Sequence, residues 1–276
     1  MKTIKEFWSM NEGTFACLHD RKRTEAFKKA IKKSVSKGDV VLELGAGSGI
    51  LSMFAVDAGA EKVYAVELDH GNAVSLRHNI RNNGYANKII VIEGDATTLE
   101  IPEKVDFIIC EMIATGLIEE LQIPAMNHAL KFLKPTGKVL LKQYDVYIEL
   151  VESKNIFYNK KFDVIRFELP EMRDMKSKSL TKRVLLKAVH LDKKNINAIN
   201  ESILADITSK GTANALKITA VTLFSDGSTF SESTSYSFPV VLPLNELPVK
   251  KGEKVRINIS YKMCTGPHTL KYSVEK

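Results

Sequence analysis

The chain has 276 residues, an ordinary hydrophobic content of 44% and a net charge of +7, as expected for a globular protein with one large domain or two modest ones. No apolar run reaches the roughly eighteen residues of a membrane span, and the N-terminus has no signal-peptide core, so we expect a cytoplasmic protein without a membrane anchor. The cysteines, Cys17, Cys110 and Cys264, lie far apart and the histidines show no paired-ligand spacing, so we expect neither disulfides nor a metal site.

The first predicted element is an amphipathic helix over residues 24–35. Its apolar stripe and its lysine face follow the helical period, the former through Ala26, Phe27, Ala30 and Ile31, the latter through Lys28, Lys29, Lys32 and Lys33. A basic surface attracts polyanions, which keeps RNA among the candidate partners. We favour a solvated helix face, because the lysines fall where the helix points away from its apolar stripe.

From residue 39 to residue 145, short β-rich runs alternate with helical stretches, which predicts βαβ units, a parallel sheet and an α/β fold. The predicted strands cover residues 40–44, 62–68, 88–94, 105–110 and 138–144. Their nearly continuous apolar character is typical of strands covered on both faces. The predicted helices between them cover residues 50–58, 72–83 and 124–132.

After about Tyr147 the pattern changes to alternating strands. Apolar residues at positions 255, 257, 259 and 261 alternate with polar ones, which predicts a strand with one buried and one wet face. Residues 225–228 form a predicted turn between two strands, and residues 193–203 are the one helix candidate in this region. The C-terminal part is therefore predicted to be an antiparallel β module.

Three glycines stand where the first strand gives way to a helix. Gly45, Gly47 and Gly49 are spaced as GxGxG, whereas a dinucleotide fingerprint reads GxGxxG and a P-loop requires a following Lys-Ser/Thr pair. The spacing favours a nucleoside ligand without phosphates. Because Gly45 and Gly47 lack Cβ atoms, the backbone can approach a ligand closely and adopt positive φ.

Two acidic residues follow at the ends of the next two strands. Glu67 stands about 20 residues beyond the loop, where a carboxylate can accept both ribose hydroxyls. Asp95 follows the third strand, where it can accept a hydrogen bond from an adenine amino group. Ligands of open α/β sheets bind outside the carboxyl ends of the strands, and the glycine loop and both acids lie on that edge.

Residues 43–55 and 58–67 resemble class I S-adenosylmethionine-dependent methyltransferases and, within them, the protein arginine methyltransferases. The resemblance continues through residues 132–137 and, more faintly, through the β module. It implies S-adenosylmethionine as the cofactor and a doubly wound, mostly parallel sheet of the seven-stranded methyltransferase type, followed by an antiparallel β-barrel-like domain. The positions that match the cofactor site are Glu43, Gly45, Ala46, Gly47, Gly49, Leu51, Glu67, Leu68, Asp95 and Ala96.

With this resemblance the chain divides into three parts. Residues 1–38 form a helical segment that covers the cofactor, residues 39–147 the Rossmann-like cofactor domain and residues 148–276 the β-barrel-like substrate domain. In the first part, Asp20 and Arg23 match an Asp-x-x-Arg element of the family. The resemblance gives Arg23 the task of gripping the cofactor's carboxylate, which suits a guanidinium fork.

The resemblance also implies two catalytic glutamates, Glu111 and Glu120, that hold the guanidinium of a protein arginine or a related cationic group. An arginine side chain is always cationic and a poor nucleophile, so carboxylates must localise its charge and orient one nitrogen toward the methyl group. The alternative reading makes Glu120 a solvent-facing helix residue. If both glutamates bind the acceptor, a protein is the favoured acceptor.

Three departures from the family bear on the acceptor. The residues after Glu111 are Met112–Thr115 where the family has Trp-Met-Gly-Tyr, and its Thr-His-Trp loop has Ser237–Pro239 as its nearest counterpart. Its aromatic N-terminal helix is reduced to Phe7 and Trp8. RNA, a small molecule, or a non-catalytic protein that only binds the cofactor therefore stay open as alternatives.

Overall fold

The computed structural model describes the backbone of residues 11–276 and side chains from residue 13 onward. Phe7 and Trp8, and with them the first part of the expected N-terminal segment, lie outside the described residues. The helices within the described part are α1 Asn11–His19, α2 Arg21–Ser34, α3 Ile50–Ala58, α4 His70–Asn82 and α5 Gln122–Ala129. None of them is long and apolar enough to cross a membrane.

Helix α2 is the amphipathic helix that the sequence predicts. Asp20 caps its N-terminus by accepting a hydrogen bond from the Arg23 backbone N–H at 3.0 Å, as short acidic side chains do at this position. Phe27 and Ile31 are fully buried, and α2 packs against α3. The helix therefore places Arg23, in its first turn, at the boundary between the two sheets described next.

The central sheet has five parallel strands in the order β3-β2-β1-β4-β5. Their bounds are β1 Val40–Leu44, β2 Lys62–Glu67, β3 Ile89–Glu93, β4 Val105–Cys110 and β5 Leu133–Val139. The direction of winding reverses between β1 and β4, so the edge beyond these two strands is the switch point at which α/β proteins bind ligands. This confirms the predicted α/β class.

The fifth predicted strand is divided between two sheets. Residues 138 and 139 end β5, whereas residues 141–144 begin the long strand β6 Leu141–Glu152 of the antiparallel module. The chain leaves the parallel sheet at Leu140, because β6 pairs antiparallel with β13 along most of its length. The apolar sequence runs on without interruption from β5 into β6, so the sequence pattern does not show where the strand changes from one sheet to the other.

The antiparallel module is built mainly on β6 and β13 Gly211–Phe224, which pair from Leu141 to Val151. The seven-stranded sheet adds β9 Arg166–Phe167, β10 Lys178–Ser179, β11 Val184–His190, β14 Thr229–Phe230 and β15 Val240–Val249. A three-stranded sheet contains β12 Ile199–Asp206, β16 Lys254–Tyr261 and β17 Lys271–Glu275, and a hairpin contains β7 Ile156–Phe157 and β8 Lys160–Lys161.

The fold agrees with the predicted class, a parallel α/β sheet followed by an antiparallel β domain, and differs from the prediction in detail. The described parallel sheet has five strands where the seven-stranded type was expected, and the described antiparallel strands form separate sheets that do not close into a barrel. The helix expected over residues 193–203 is wrong, because β12 starts at Ile199 and pairs with β16 throughout its length. Cross-strand pairing overrides the local pattern there. The alternation in β16 is as predicted, with Val255, Ile257 and Ile259 all buried.

Candidate active site

A cavity of about 610 Å³ lies at the switch point, beyond the carboxyl ends of β1 to β4. Its walls come from α1, the glycine loop, the first residues after each of these strands and two loops of the antiparallel module. The cavity therefore lies between the parallel sheet and the antiparallel module. Of the predicted site residues, those that line it are Arg23, Glu43, Gly45, Ala46, Gly47, Leu51, Glu67, Leu68, Asp95, Ala96, Glu111 and Glu120.

The glycine loop forms the floor of the cavity. Gly45 and Gly47 have φ values of +70° and +51°, which side chains disfavour. A Cβ on Gly45 would lie 3.0 Å from the Met112 side chain, and one on Gly47 would lie 3.2 Å from Thr14 of α1. Glycine is needed at both positions, because the loop runs close to the walls that face it and keeps the cavity open.

Gly49 is the one predicted cofactor residue that does not line the cavity. It is the N-cap of α3, with φ of +84°, and it faces the side chain of Leu76 in α4. Its requirement for glycine comes from packing between two helices. The motif spacing does not distinguish this requirement from contact with a ligand.

Gly49→Ala is expected to destabilise the fold more than Gly84→Ala, although the two glycines have φ values of +84° and +81°. Either substitution costs about 1–2 kcal/mol from left-handed backbone. At Gly49 the new Cβ would also lie 2.5 Å from Leu76 Cδ1, whereas nothing lies within 4 Å at Gly84. Overpacking of this kind adds about 1–3 kcal/mol. Urea unfolding measures the difference, and equal losses for the two variants would contradict the steric account.

Glu67 and Asp95 line the cavity, as predicted from their positions at the ends of the strands. The carboxylate of each also accepts hydrogen bonds from backbone N–H groups. Glu67 is buried and accepts hydrogen bonds from the N–H groups of Gly47 and Asp69, at 2.9 and 3.0 Å. Asp95 accepts from the N–H and hydroxyl of Thr97. Glu67 therefore also fixes the glycine loop, a task that its strand-end position alone does not reveal.

Glu43 lies inside the protein at the base of the cavity. Ser52 donates a hydrogen bond to its carboxylate, and burial raises its pKa to about 8. A carboxyl group with this pKa exchanges its proton near neutral pH. A cationic group in the cavity would favour its charged form.

Arg23 and Glu111, which both line the cavity, form an ion pair. Arg23 Nη2 donates to Glu111 Oε2, and only 5% and 10% of the two side chains remain exposed. The face of the guanidinium lies 4.9 Å from the ring centroid of Phe27, which fixes its plane. Arg23 Nε is buried and has no partner among the described residues. A buried donor without a partner indicates an anionic group that this wall is built to receive.

The backbone that carries Glu111 is held by α5. Gln122 is fully buried; its amide donates to the Cys110 carbonyl at 3.0 Å, and its oxygen accepts from the Met112 N–H at 2.9 Å. Both contacts bracket Glu111 at the end of β4. Gln122 positions the carboxylate without touching it, and no sequence motif pointed to this residue.

Glu120 follows a sharp turn that the β module holds in place. Gly116 and Leu117 have positive φ, and their carbonyls accept hydrogen bonds from the Tyr261 hydroxyl and the Cys264 N–H, at 2.6 and 2.7 Å. Glu120 thereby reaches the cavity wall, where burial and the charge of Glu111 raise its pKa to about 8. The solvent-facing alternative for Glu120 does not fit this position.

The remaining wall comes from residues that the sequence did not single out as site residues. Asp20 accepts from the N–H and hydroxyl of Ser235, which ties the start of α2 to the loop containing Phe238. Thr115 donates to the Phe238 carbonyl at 2.5 Å. The unpredicted lining residues include Thr14, Cys17, Leu169, Glu171, Thr234 and Phe238. Among them, only the loop of Phe238 could have been predicted from the sequence, because it corresponds to the family's Thr-His-Trp loop.

Cys17 is unsuited to act as a nucleophile in this cavity. Burial, followed by the charge of Glu111, raises the pKa of its thiol to about 11. Among the residues that the structure describes, no group of three or more His, Cys, Asp or Glu side chains could hold a metal ion. The charged side chains that line the cavity are one guanidinium and several carboxyl groups, those of Arg23, Glu43, Glu67, Asp95, Glu111, Glu120 and Glu171.

These features fit S-adenosylmethionine. The open glycine loop and Glu67 suit a nucleoside, the unpartnered Nε of Arg23 suits the carboxylate of an amino acid, and Glu43 suits an ammonium group. The fold and the site together define a class I S-adenosylmethionine-dependent methyltransferase.

Comparison with known proteins supports this class. The family model of ribosomal protein L11 methyltransferases matches residues 21–142. An uncharacterized protein of Methanocaldococcus jannaschii, MJ1452, is 34% identical over 252 residues, which cover 90% of this chain and 91% of that protein. The chain is a member of the S-adenosylmethionine-dependent methyltransferases, in the family that includes the Methanocaldococcus protein.

Arginine methyltransferases are among the relatives. A histone-arginine methyltransferase of Drosophila ananassae, CARMER, is 40% identical over 148 residues, which are 52% of this chain and 28% of that protein. The chain thus spans little more than a quarter of this relative.

Two solved structures share the fold. That of Arabidopsis thaliana protein arginine methyltransferase 10 has a TM-score of 0.79 at 17% identity and covers 98% of each chain. The Trypanosoma brucei PRMT1 enzyme-prozyme complex with AdoHcy has a TM-score of 0.77 at 20% identity, and the match covers 95% of this chain and 96% of that one.

Proposed function

We propose that this methyltransferase transfers the methyl group of S-adenosylmethionine to a guanidinium nitrogen of a protein arginine. The observation that carries the proposal is the pair Glu111 and Glu120, two carboxyl groups of the connection between β4 and α5 that line one cavity together with the glycine loop. Two carboxylates match a guanidinium, because it presents several N–H donors in a plane. The name of the Drosophila relative supports the same acceptor.

The protein's contribution to the reaction is positioning and charge. Arg23, Glu67, Asp95 and the glycine loop would hold the cofactor, which supplies an electrophilic methyl group on its sulfonium when bound. Glu111 and Glu120 bind the acceptor cation and turn one nitrogen toward the nucleoside end of the cavity. Such in-line transfer gains most of its rate from orientation and electrostatics.

Glu120 is also placed to receive the proton that the acceptor nitrogen loses. Once Glu120 has lost its own proton, its raised pKa of about 8 in the free protein makes it a stronger base than an ordinary glutamate. Cys17 and Thr14 of α1 lie on the same wall, so α1 helps to separate the cavity from water. The alignment gives Phe238 the position of the family's histidine, and we propose that Phe238 packs against the acceptor side chain.

A ribosomal protein is the second candidate acceptor, supported by the family model that matches residues 21–142. RNA is the third, supported by the net charge of +7. We further propose that residues 1–38, 39–147 and 148–276 act as the cofactor cover, the cofactor domain and the substrate domain, and that the protein works in the cytoplasm without a metal ion.

The test is an acceptor profile with S-adenosylmethionine labelled in its methyl group. Arginine peptides, the same peptides with lysine in place of arginine, ribosomal proteins and RNA are incubated with the protein. We expect label in the arginine peptides, removed by the lysine replacement and located on a guanidinium nitrogen by mass spectrometry. Label in RNA alone, or equal label in the lysine peptides, would refute the arginine assignment.

A further inference from the structure

Arg23 lines the cavity beside Glu111, and the protein engages only part of its guanidinium. One of its terminal nitrogens, Nη2, is paired with Glu111 on the acceptor side. Its Nε has no partner among the described residues, and Nη1 has only a long contact of 3.5 Å to the Cys17 carbonyl. Of the three guanidinium nitrogens, therefore, Nη2 is bonded to Glu111, whereas Nη1 and Nε have a weak contact and none.

The ion pair leaves Glu111 poorly suited to bind an acceptor. Glu111 is mostly buried, and its nearest cation is the Arg23 guanidinium, which also donates a hydrogen bond to it. A second guanidinium arriving at Glu111 would meet a carboxylate that is already neutralised. Glu111 therefore stays paired with Arg23 unless another anionic group binds to that guanidinium.

We propose that Arg23 couples cofactor binding to acceptor binding by exchanging carboxylates. Without cofactor Arg23 pairs with Glu111; with cofactor it shares its donors with the cofactor's α-carboxylate, and Glu111 becomes available to the acceptor cation. This inference rests on the proposed function for the identity of the acceptor. The antagonism between Glu111 and the cofactor's carboxylate does not depend on that identity.

The stacking of Arg23 supports exchange rather than movement. The Phe27 ring lies 4.9 Å below the guanidinium, and Phe27 is itself fully buried against Phe224 and Tyr236. Asp20 fixes the backbone of Arg23 and ties it to Ser235. Because the plane of the guanidinium is held, a cofactor carboxylate and Glu111 would share its donors in one place, and the Arg23 side chain would not swing from one carboxylate to the other.

Calorimetry with two ligands tests the exchange without any acceptor. S-adenosylhomocysteine carries the amino-acid carboxylate, whereas 5′-methylthioadenosine has the same adenosine and sulfur but no carboxylate. In Glu111→Gln, the competitor for Arg23 is gone, so S-adenosylhomocysteine should bind about 5- to 150-fold more tightly, the usual range of such coupling. The affinity for 5′-methylthioadenosine should not change.

The matched control is Glu119→Gln, which removes a nearby carboxylate that does not line the cavity. It should leave both affinities unchanged. Unchanged or weaker binding of S-adenosylhomocysteine to Glu111→Gln would overturn the exchange, because Glu111 would then orient Arg23 for the cofactor instead of competing with it.

A second measurement follows the acceptor. S-adenosylhomocysteine, but not 5′-methylthioadenosine, should raise the affinity of the wild-type protein for an arginine peptide, because coupling of this kind is reciprocal. If arginine peptides fail to bind while Glu111→Gln still gains affinity for S-adenosylhomocysteine, the proposed acceptor is wrong and the exchange stands. If the peptide binds equally with both nucleosides, the exchange is wrong and the acceptor stands.

Discussion

Glu120→Gln is expected to lower methyl transfer to an arginine peptide by about 10²- to 10⁴-fold, the usual contribution of a positioned acid or base. The amide keeps the shape of the side chain and removes its charge and its capacity to take a proton. Cofactor affinity should be retained, because Glu67 and the glycine loop are held by hydrogen bonds to Gly47 and Asp69 that do not involve Glu120. Initial rates with saturating cofactor, together with calorimetry, separate the two effects.

The pH profile distinguishes loss of this carboxyl group from a general disturbance. In the free protein, burial and the neighbouring charge of Glu111 raise the pKa of Glu120 to about 8, so the carboxyl is largely protonated at neutral pH. Acceptor binding needs the charged form. The ratio kcat/KM for the acceptor should therefore rise with pH through about 8 and level off above it, and Glu120→Gln should lose this rise.

Glu119→Gln is the control for this prediction. Glu119 precedes Glu120 in the chain but does not line the cavity, so its substitution should leave the rate close to that of the wild type. A fall in rate equal to that of Glu120→Gln would indicate a disturbance of the turn rather than loss of an acceptor ligand. A pH profile of Glu120→Gln that still rises through 8 would place the titrating group elsewhere, with Glu43 the next candidate.

Glu67→Ala is expected to weaken binding of S-adenosylmethionine by roughly 10- to 150-fold, the worth of a charged hydrogen bond expressed as a ratio of affinities. Glu67 is buried, and its two oxygens accept from Gly47 and Asp69. Alanine leaves the glycine loop without this anchor and removes the proposed ribose acceptor. Calorimetry with S-adenosylmethionine, S-adenosylhomocysteine and NAD measures the loss and its selectivity.

Glu93→Ala is the matched control. Glu93 ends β3 on the same edge of the sheet, but it pairs with His70 and Arg77 on the surface and does not line the cavity. Its substitution should leave cofactor affinity unchanged. Equal losses in both variants, or binding of NAD as tight as that of the sulfur nucleosides, would contradict the assignment of Glu67.

Much of the cofactor half of the site could be predicted from the sequence, because it depends on short stretches of chain. A buried strand followed by GxGxG places glycines at a turn, and the next strand brings Glu67 to the same edge. The period of the α2 residues likewise determined which face is buried. The motif did not predict the environment of Gly49 correctly. Its place in the motif resembles that of Gly45, but it packs against Leu76 and does not line the cavity.

The acceptor half was decided by tertiary structure. Glu111 and Glu120 are near in sequence, yet their common cavity depends on Gln122 of α5 and on Tyr261 and Cys264 of the distant β module. The partner of Arg23 could not be read from the chain either, because 88 positions separate it from Glu111. The sequence by itself determined the α/β class, the glycine loop and the acidic strand ends. Contacts between remote segments decided the geometry of the two glutamates, because long-range packing leaves no local periodicity.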